Sequence, residues 1–332
     1  MPVVTYSLDN AIDKFFSEAG ASSSRTECDE YARQICGGEV KPNYHQGISS
    51  YTVIAGPSSN KIVQFRDKTA LLDMRSLALA KEIHPDLVSS CSELGWIGHT
   101  KGQQLAVYEM DRLPGENYIT ASMSFKGEQH MRTVTSLAKF FAQSWQRGMP
   151  KDPNLIDLPA VSAECHARLE YLAGALPERF IPIITQVQAT LPALLDGTYP
   201  VVLTHSDLNQ MNILVDPVRG NITAVVDWAG ASYLPFGFTL YALEHALGKM
   251  DYVGWKWIDN VNELRNAFWS VFKQNSGISE AQMDLAKVAG KAGVLVRYGT
   301  PFDANFTGML GVCDPDGCDL RELNAFLFEQ TT

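Results

Sequence analysis

Long apolar runs are missing from this chain. Every hydrophobic stretch is broken by polar or charged residues well short of the ~20 needed to cross a bilayer, so no membrane-spanning helix and no membrane partner are expected. The opening MPVVTYSLDNAIDK has no basic region followed by an apolar one, which argues against an export signal. The expectation is a soluble, cytoplasmic protein. Basic charge is also in short supply: Lys and Arg number 27 against 37 Asp and Glu, a formal net charge of -10. Nucleic acid and anionic lipid are therefore not expected as partners. Cysteine is sparse, with six thiols at positions 28, 36, 91, 165, 313 and 318, too dilute for a disulfide scaffold. Only Cys313 and Cys318 lie close together, around the turn sequence DPDG, where free thiols and a disulfide or redox pair are both open readings. No His or further Cys stands near them at zinc-ligand spacing. Repeats and low-complexity tracts are absent too, and nothing in the composition sets an oligomeric state.

What remains is globular material. The 332 residues are 45% hydrophobic and 19% charged, enough for two cores, because single cores stop growing near ~250 to 300 residues. Residues 8 to 36 read as two short helices, the first stopped by Gly20 and the second offered serine caps, forming an N-terminal helical appendage over 1–43. From Tyr44 the texture changes to strands: YHQGISSYTVIAG, the turn PSSN, KIVQFR, a helical ALLDMRSLALAKEI, then a WIGHTKGQQLAVYEM hairpin. That predicts a small five-stranded sheet with one main helix over 44–114. After Leu113-Pro114-Gly115 the periodicity turns helical and stays so over 115–332, with one exception at 201 to 228.

The exception reads VVLTHSDLNQMNILVDPVRGNITAVVDWAG. DPVRGN is a turn of Asp, Pro, Gly and Asn between two apolar strands, so a hairpin is expected. If Val215 pairs with Ile222, Asn212 lies opposite Val225 and Asp227 emerges beyond the same open end. One metal ion can then touch both Asn212 and Asp227, and Asp207, on the loop leading in, brings a second carboxylate to the same point. Such oxygen ligands suit magnesium, which takes one or two carboxylates together with phosphate oxygens and water. Phosphoryl transfer requires these parts: a carboxylate to orient the attacking hydroxyl and accept its proton, and oxygen ligands to hold Mg²⁺ against the nucleotide phosphates. The spacing His205-x-Asp207-x4-Asn212, followed by an Asp after an apolar strand, is the catalytic-loop and metal-Asp pattern of the protein-kinase-like fold. A polar loop with capping Asp and Asn would explain the same residues one by one.

On these motifs the sequence resembles the aminoglycoside phosphotransferase family, and within it the fungal-type phosphotransferase domains, over roughly residues 44 to 250. The resemblance implies an α+β, protein-kinase-like fold of two lobes, a small antiparallel-sheet N-lobe and a mainly helical C-lobe. It implies ATP and Mg²⁺ as cofactors and a hydroxyl of a small molecule as acceptor. Asp207 would be the catalytic base, His205 would brace its loop, and Asn212 and Asp227 would be the metal ligands. Gly47, Ser49 and Ser50 fall at the first turn of the sheet, where the family approaches the phosphates with backbone N–H groups; Gly47 also reads as an ordinary turn residue. Arg66, at the end of KIVQFR, stands in the place of the strand-borne phosphate-binding Lys, or is a solvated strand-end charge. Asp111 and Leu113 in YEMDRLPG match the hinge whose backbone groups hydrogen-bond the adenine edge, and equally a plain Pro-Gly turn.

Departures from the family pattern accompany the match. The helix after Arg66 offers only Asp73 and the late Glu82 as acidic partners for it. GFTLYALEHALG lacks an Asp that many relatives carry, and its Glu244 and His245 either face the cleft from that helix or, the favoured reading, form a helix-surface pair. Trp255, Trp257, Trp269, Tyr298 and Phe302 read as core packing rather than a substrate cage. The acidic net charge is compatible with a cationic acceptor such as an amine or an aminoglycoside. Two further readings stay open: a kinase-like enzyme that phosphorylates a hydroxyl to activate it for elimination or cyclisation, and a catalytically silent binding module.

Overall fold

A computed structural model describes residues 6–152, 155–299 and 318–328. Cys313 and Phe302 lie outside the described residues, as does the side chain of Cys318. The chain divides into two compact units, one of residues 1–81 with 85–113 and one of residues 82–84 with 114–332.

In the first unit, α1 (Leu8–Ala19) starts at the Ser7 cap and stops at Gly20, and α2 (Arg25–Cys36) starts from a reciprocal Ser24–Glu27 capping box. The strands β1 (Lys41–Pro42), β2 (Ser50–Ala55), β3 (Lys61–Arg66), β4 (Cys91–Ile97) and β5 (Leu105–Asp111) form an antiparallel sheet in the order β1-β2-β3-β5-β4. The helix α3 (Met74–Ile83) lies between β3 and β4 in sequence. The first strand precedes the expected start at Tyr44, because Lys41 and Pro42 pair with Ile54 and Val53. The two N-terminal helices are not a separate appendage. Ile12 and Phe15 of α1 and Cys28 and Ala32 of α2 are buried in one cluster with Tyr51, Val53, Val63, Phe65, Leu105 and Val107 of the sheet. Alternation along β2 and β3 gives the sheet an apolar face that needs a cover, and full burial of each such side chain contributes about 1.5–3 kcal/mol.

The second unit begins with β6 (Glu116–Asn117) and α4 (Tyr118–Ala121), then the helices α5 (Gly127–Arg147), α6 (Leu158–Ala175) and α7 (Ile181–Leu195). The strands β7 (Val201–Thr204), β8 (Ile213–Val215), β9 (Ile222–Val225) and β10 (Ser232–Pro235) follow, and β7 pairs with β10 while β6, β8 and β9 form a second small sheet. Next come α8 (Tyr241–Ala246), the hairpin β11 (Gly248–Met250) and β12 (Trp255–Trp257), and α9 (Val261–Ser276), α10 (Glu280–Gly299) and α11 (Cys318–Phe328). Its core runs along α5, whose buried Val134, Leu137, Ala138 and Phe141 recur at helical spacing. Phe141 meets Phe268 of α9 edge-on, and Phe236 stacks on Phe272 at 5.4 Å between ring centres. The unit is mainly helical and the first is a sheet with helices, so the chain is α+β. Among the described residues, no helix is long and apolar enough to cross a membrane.

Candidate active site

The 213–225 hairpin forms in the second unit, with one departure from the simple register. Val215 pairs with Ile222, but Leu214 pairs with Ala224 and Ile213 with Val225, so Thr223 is an extra residue in its strand. A bulge of this kind bends the strand and twists it. Its hydroxyl donates to the Pro114 carbonyl at 2.6 Å. The consequence is that Asn212 faces Val226 rather than Val225: Val226 N–H donates to the Asn212 carbonyl at 2.9 Å.

Two loops leave this hairpin end and are laced together. His205 is buried, and its Nε2–H donates to the Val226 carbonyl at 2.8 Å while Nδ1 accepts the Asp207 N–H at 3.1 Å. Both bonds call for the same neutral tautomer, and burial pushes the imidazole pKa down, which holds that tautomer in place. Ser206 Oγ donates to the Ala229 carbonyl at 2.8 Å, and Asn212 Nδ2 donates to the Asp207 carbonyl, also at 2.8 Å. Trp228, where protein kinases carry Phe, is buried, donates its indole N–H to Val225 and meets His205 edge-on. Asp227, between Val226 and Trp228, sits at φ +61, a left-handed conformation rare for a residue with a side chain. Strain of this kind persists only where the surroundings fix it, here the bonds on either side of Asp227.

These bonds settle what each candidate residue offers. Asn212 directs its amide nitrogen to the Asp207 backbone, which leaves Oδ1 available to a cation. The Asp227 carboxylate is exposed and has no protein partner among the described residues. A carboxylate and a carboxamide oxygen at one hairpin end fit the partial ligand set that Mg²⁺ uses beside phosphate and water. No group of three or more His, Cys, Asp or Glu that could hold a metal occurs among the described residues. Asp207 is half-buried and pairs through Oδ1 with Arg297 Nη2 of α10 at 2.8 Å.

Arg297 is the residue that sequence reasoning missed. No motif marks it, and it lies far along the chain; the one signal is a lone Arg in the otherwise apolar end of AGKAGVLVRYG. Tyr241 was missed as well: its hydroxyl accepts the Leu208 N–H at 3.2 Å and its ring meets Tyr298 edge-on. Burial pushes its phenol up to about 12, so it stays protonated. Gln210 ties the same loop to α8 and β11 by donating to the carbonyls of His245 and Gly248. Glu244 and His245 are buried rather than a surface pair, because α8 is enclosed on all sides. Glu244 pairs with Arg265 of α9, and His245 meets the Tyr298 hydroxyl.

The first unit carries the other candidates. Ser50 is buried, opposite Arg66 in the strand register, with its hydroxyl 3.3 Å from that of Thr52. Gly47 and Ser49 lie in the preceding turn, which Gln46 pins by bonds to Asn43 and to both backbone groups of Thr52. Arg66 is buried rather than solvated: Nε donates to the Ala70 carbonyl at 2.6 Å and Nη1 to Gln64. Asp73 caps its own helix by accepting from Arg75 N–H and Ser76 Oγ. Glu82 belongs to the second unit and pairs with Lys151. The Asp111 carboxylate accepts a hydrogen bond from Ser90 Oγ and pairs with Lys61, which together keep its pKa below the usual range, while its carbonyl accepts Ser89 Oγ at 2.7 Å. Leu113 ends this unit.

A sheet-based unit followed by a helical one, with His-x-Asp-x4-Asn leading into a hairpin and an Asp after it, defines a kinase-like phosphotransferase class. The family model of the phosphotransferase enzyme family matches residues 57–242, more than half of the chain, and the chain belongs to that family. No curated protein matches the sequence significantly. Among solved structures, the GDP complex of aminoglycoside 2'-phosphotransferase-IIIa is 10% identical, with 82% of this chain and 89% of that one covered at a TM-score of 0.49. The streptomycin–ATP complex of APH(2")-IIa is 12% identical, with coverage of 92% and 97% and a TM-score of 0.49. Macrolide 2'-phosphotransferase MphH from Brachybacterium faecium is 16% identical, with coverage of 88% and 90% and a TM-score of 0.47.

Proposed function

We propose that this protein is a cytoplasmic, ATP- and Mg²⁺-dependent phosphotransferase that acts on a hydroxyl group of a small molecule. The observation that carries the reading is the lacing of the 205–212 loop to the 226–229 loop, which holds Asp207, Asn212 and Asp227 on one rigid support. In the reaction the acceptor oxygen attacks the γ-phosphorus, the bond to the β,γ-bridging oxygen breaks, and ADP leaves. The acceptor proton would pass to the Asp207 carboxylate, whose Oδ1 is held by Arg297, which leaves Oδ2 for the hydroxyl. Asn212 Oδ1 and Asp227 would hold Mg²⁺, which supplies charge neutralisation on the phosphates when bound. In the first unit, Arg66 and the backbone of Gly47, Ser49 and Ser50 would take the phosphates, and the backbone around Asp111 and Leu113 the adenine edge. The transition state is loose, so positioning and charge supply most of the catalysis.

The test is incubation of the protein with Mg²⁺-ATP and a metabolite extract, read by mass spectrometry for a product heavier by one phosphate. A product that appears with the protein and not with its Asp207→Asn variant supports the reading. Tight ATP binding with no phosphorylated product marks the silent binding module, and a product that has lost the phosphate again marks activation for elimination or cyclisation.

A further inference from the structure

The turn between β1 and β2 leaves the sheet ladder early. Beyond the Pro42–Val53 pair the last backbone bond is Asn43 N–H to the Thr52 carbonyl, at 2.9 Å. From there the side chain of Gln46 does what strand backbone would do. Its Oε1 accepts the Thr52 N–H at 2.8 Å, and its Nε2 donates to the carbonyls of Thr52 and Asn43 at 2.8 and 2.7 Å. Both amide donors and the carbonyl oxygen are thereby engaged. Asn43 adds a bond of its own, Nδ2 donating to the His45 carbonyl at 2.8 Å.

A second tie comes from the N-terminal segment. The Tyr6 hydroxyl donates to the Tyr44 carbonyl at 2.8 Å and accepts the Gln46 N–H at 3.0 Å, and its ring lies 5.7 Å from Tyr44 and 6.0 Å from His45. Tyr6 directly precedes Ser7, the cap of α1, and α1 is anchored by Ile12 and Phe15 in the sheet core and by Phe16 against Tyr51 of β2. Between the two ties the backbone is open. Among the described residues the N–H groups of Gly47, Ile48 and Ser49 have no acceptor, and Ile48 is 81% exposed. A Cβ added at Gly47 would lie 3.3 Å from Ser50 Oγ, and Ser50 is opposite Arg66 in the β2–β3 register. Successive open N–H groups at the same end of the sheet as a guanidinium suit an anion. Binding there is stronger when the turn is already ordered, because no ordering entropy then opposes it.

We propose that Tyr6 and Gln46 are positioning residues for the nucleotide phosphates, which act by holding the 47–49 turn in its binding shape. The segment before α1 is then a strap on the nucleotide site, and α1 serves that site as well as covering the sheet. The proposal rests on the phosphotransferase reading, since it takes the anion on the turn to be the phosphate chain of ATP.

The experiment uses full-length protein. Mg²⁺-ATP is titrated by calorimetry, adenosine is measured by displacement of it, and amide hydrogen exchange over 44–50 is followed by mass spectrometry. Tyr6→Phe keeps the ring and removes the hydroxyl; Gln46→Met keeps the length and removes the three side-chain bonds. Mg²⁺-ATP affinity is expected to fall roughly three- to tenfold in Tyr6→Phe and by roughly tenfold or more in Gln46→Met. Adenosine, which has no phosphates, should bind both variants as it binds the parent protein. Exchange over 44–50 should quicken while α1 and β3 keep their protection. Should Gln46→Met fail to fold, Tyr6→Phe decides, since that side chain is 43% exposed. An equal loss of ATP and adenosine would mark a general loosening of the unit and overturn the positioning role. Parent-like ATP affinity in Tyr6→Phe would overturn that role alone and leave the phosphotransferase reading intact, whereas a parent protein that binds no Mg²⁺-ATP would sink both.

Discussion

At the scale of the residue, the pair Asp207–Arg297 separates chemistry from structure. Asp207→Asn keeps the shape and a hydrogen-bond acceptor for Arg297 while removing the proton acceptor. A fall in kcat of roughly 10²-fold or more is expected, with nucleotide affinity nearly unchanged. A pH-independent kcat alongside that fall would assign Asp207 to aiming the hydroxyl rather than to taking its proton. Asp227→Ala acts on the other term. Among the described residues the carboxylate has no protein partner to lose, while its φ of +61 disfavours alanine by about 1–2 kcal/mol; a modest loss of stability is therefore expected beside the fall in Mg²⁺-dependent nucleotide affinity. Calorimetric titration of ATP at several Mg²⁺ concentrations checks it, and an affinity that ignores both the substitution and the metal would remove Asp227 from the ligand set.

At the scale of the element, α10 brings Arg297 to the loop, and its path depends on a close backbone contact. A Cβ added at Gly293 would lie 1.8 Å from the Phe238 carbonyl oxygen, so Gly293→Ala has to push the helix away from the 237–240 turn. The alanine gains helix propensity worth up to ~1 kcal/mol, but overpacking of this kind costs about 1–3 kcal/mol and the clash is with backbone. The expected result is a lower urea midpoint together with reduced turnover, because the displacement reaches Arg297 one turn later. Turnover that holds while stability drops would show that the Arg297 contact does not depend on the helix position. Elements with local signatures were legible in the sequence: the capping box of Ser24, the Gly20 stop and the DPVRGN turn each declare themselves within a few residues. The extra Thr223 was not legible, since apolar alternation marks a strand but does not say where one residue is left over. Neither was the inclusion of α1 and α2 in the sheet core, which is set by a long-range match of apolar faces.

At the scale of the whole molecule, the same contrast governs the site. The grouping of His205, Asp207 and Asn212 with the following Asp227 was readable because one hairpin and its flanking loops carry them, whereas Arg297 and the Glu244–Arg265 pair come from helices whose packing no local pattern encodes. Packing also determines how the protein meets acid. His84 is buried, stacked on Phe140 at 4.0 Å between rings, with Gln143 and Ser144 at its nitrogens, and burial lowers its pKa to about 4. His245, enclosed by Tyr298, Trp255 and Phe326, is likewise lowered to about 4 by burial. Both folded-state values lie below the unfolded 6.5, so between these limits the unfolded chain binds more protons than the folded one. Stability is therefore complete above about pH 6.5, falls as the pH drops toward 4, and gains no further loss from these groups below that. With a pKa unit worth about 1.4 kcal/mol, each histidine contributes a loss on the order of 2–3 kcal/mol between pH 7 and 4.5. Urea denaturation midpoints at pH 7, 5.5 and 4.5 measure it. His84→Gln, which keeps hydrogen-bonding capacity and cannot titrate, should recover about half of the acid-induced loss, and an unchanged pH slope in that variant would show that His84 is not among the groups that charge on unfolding.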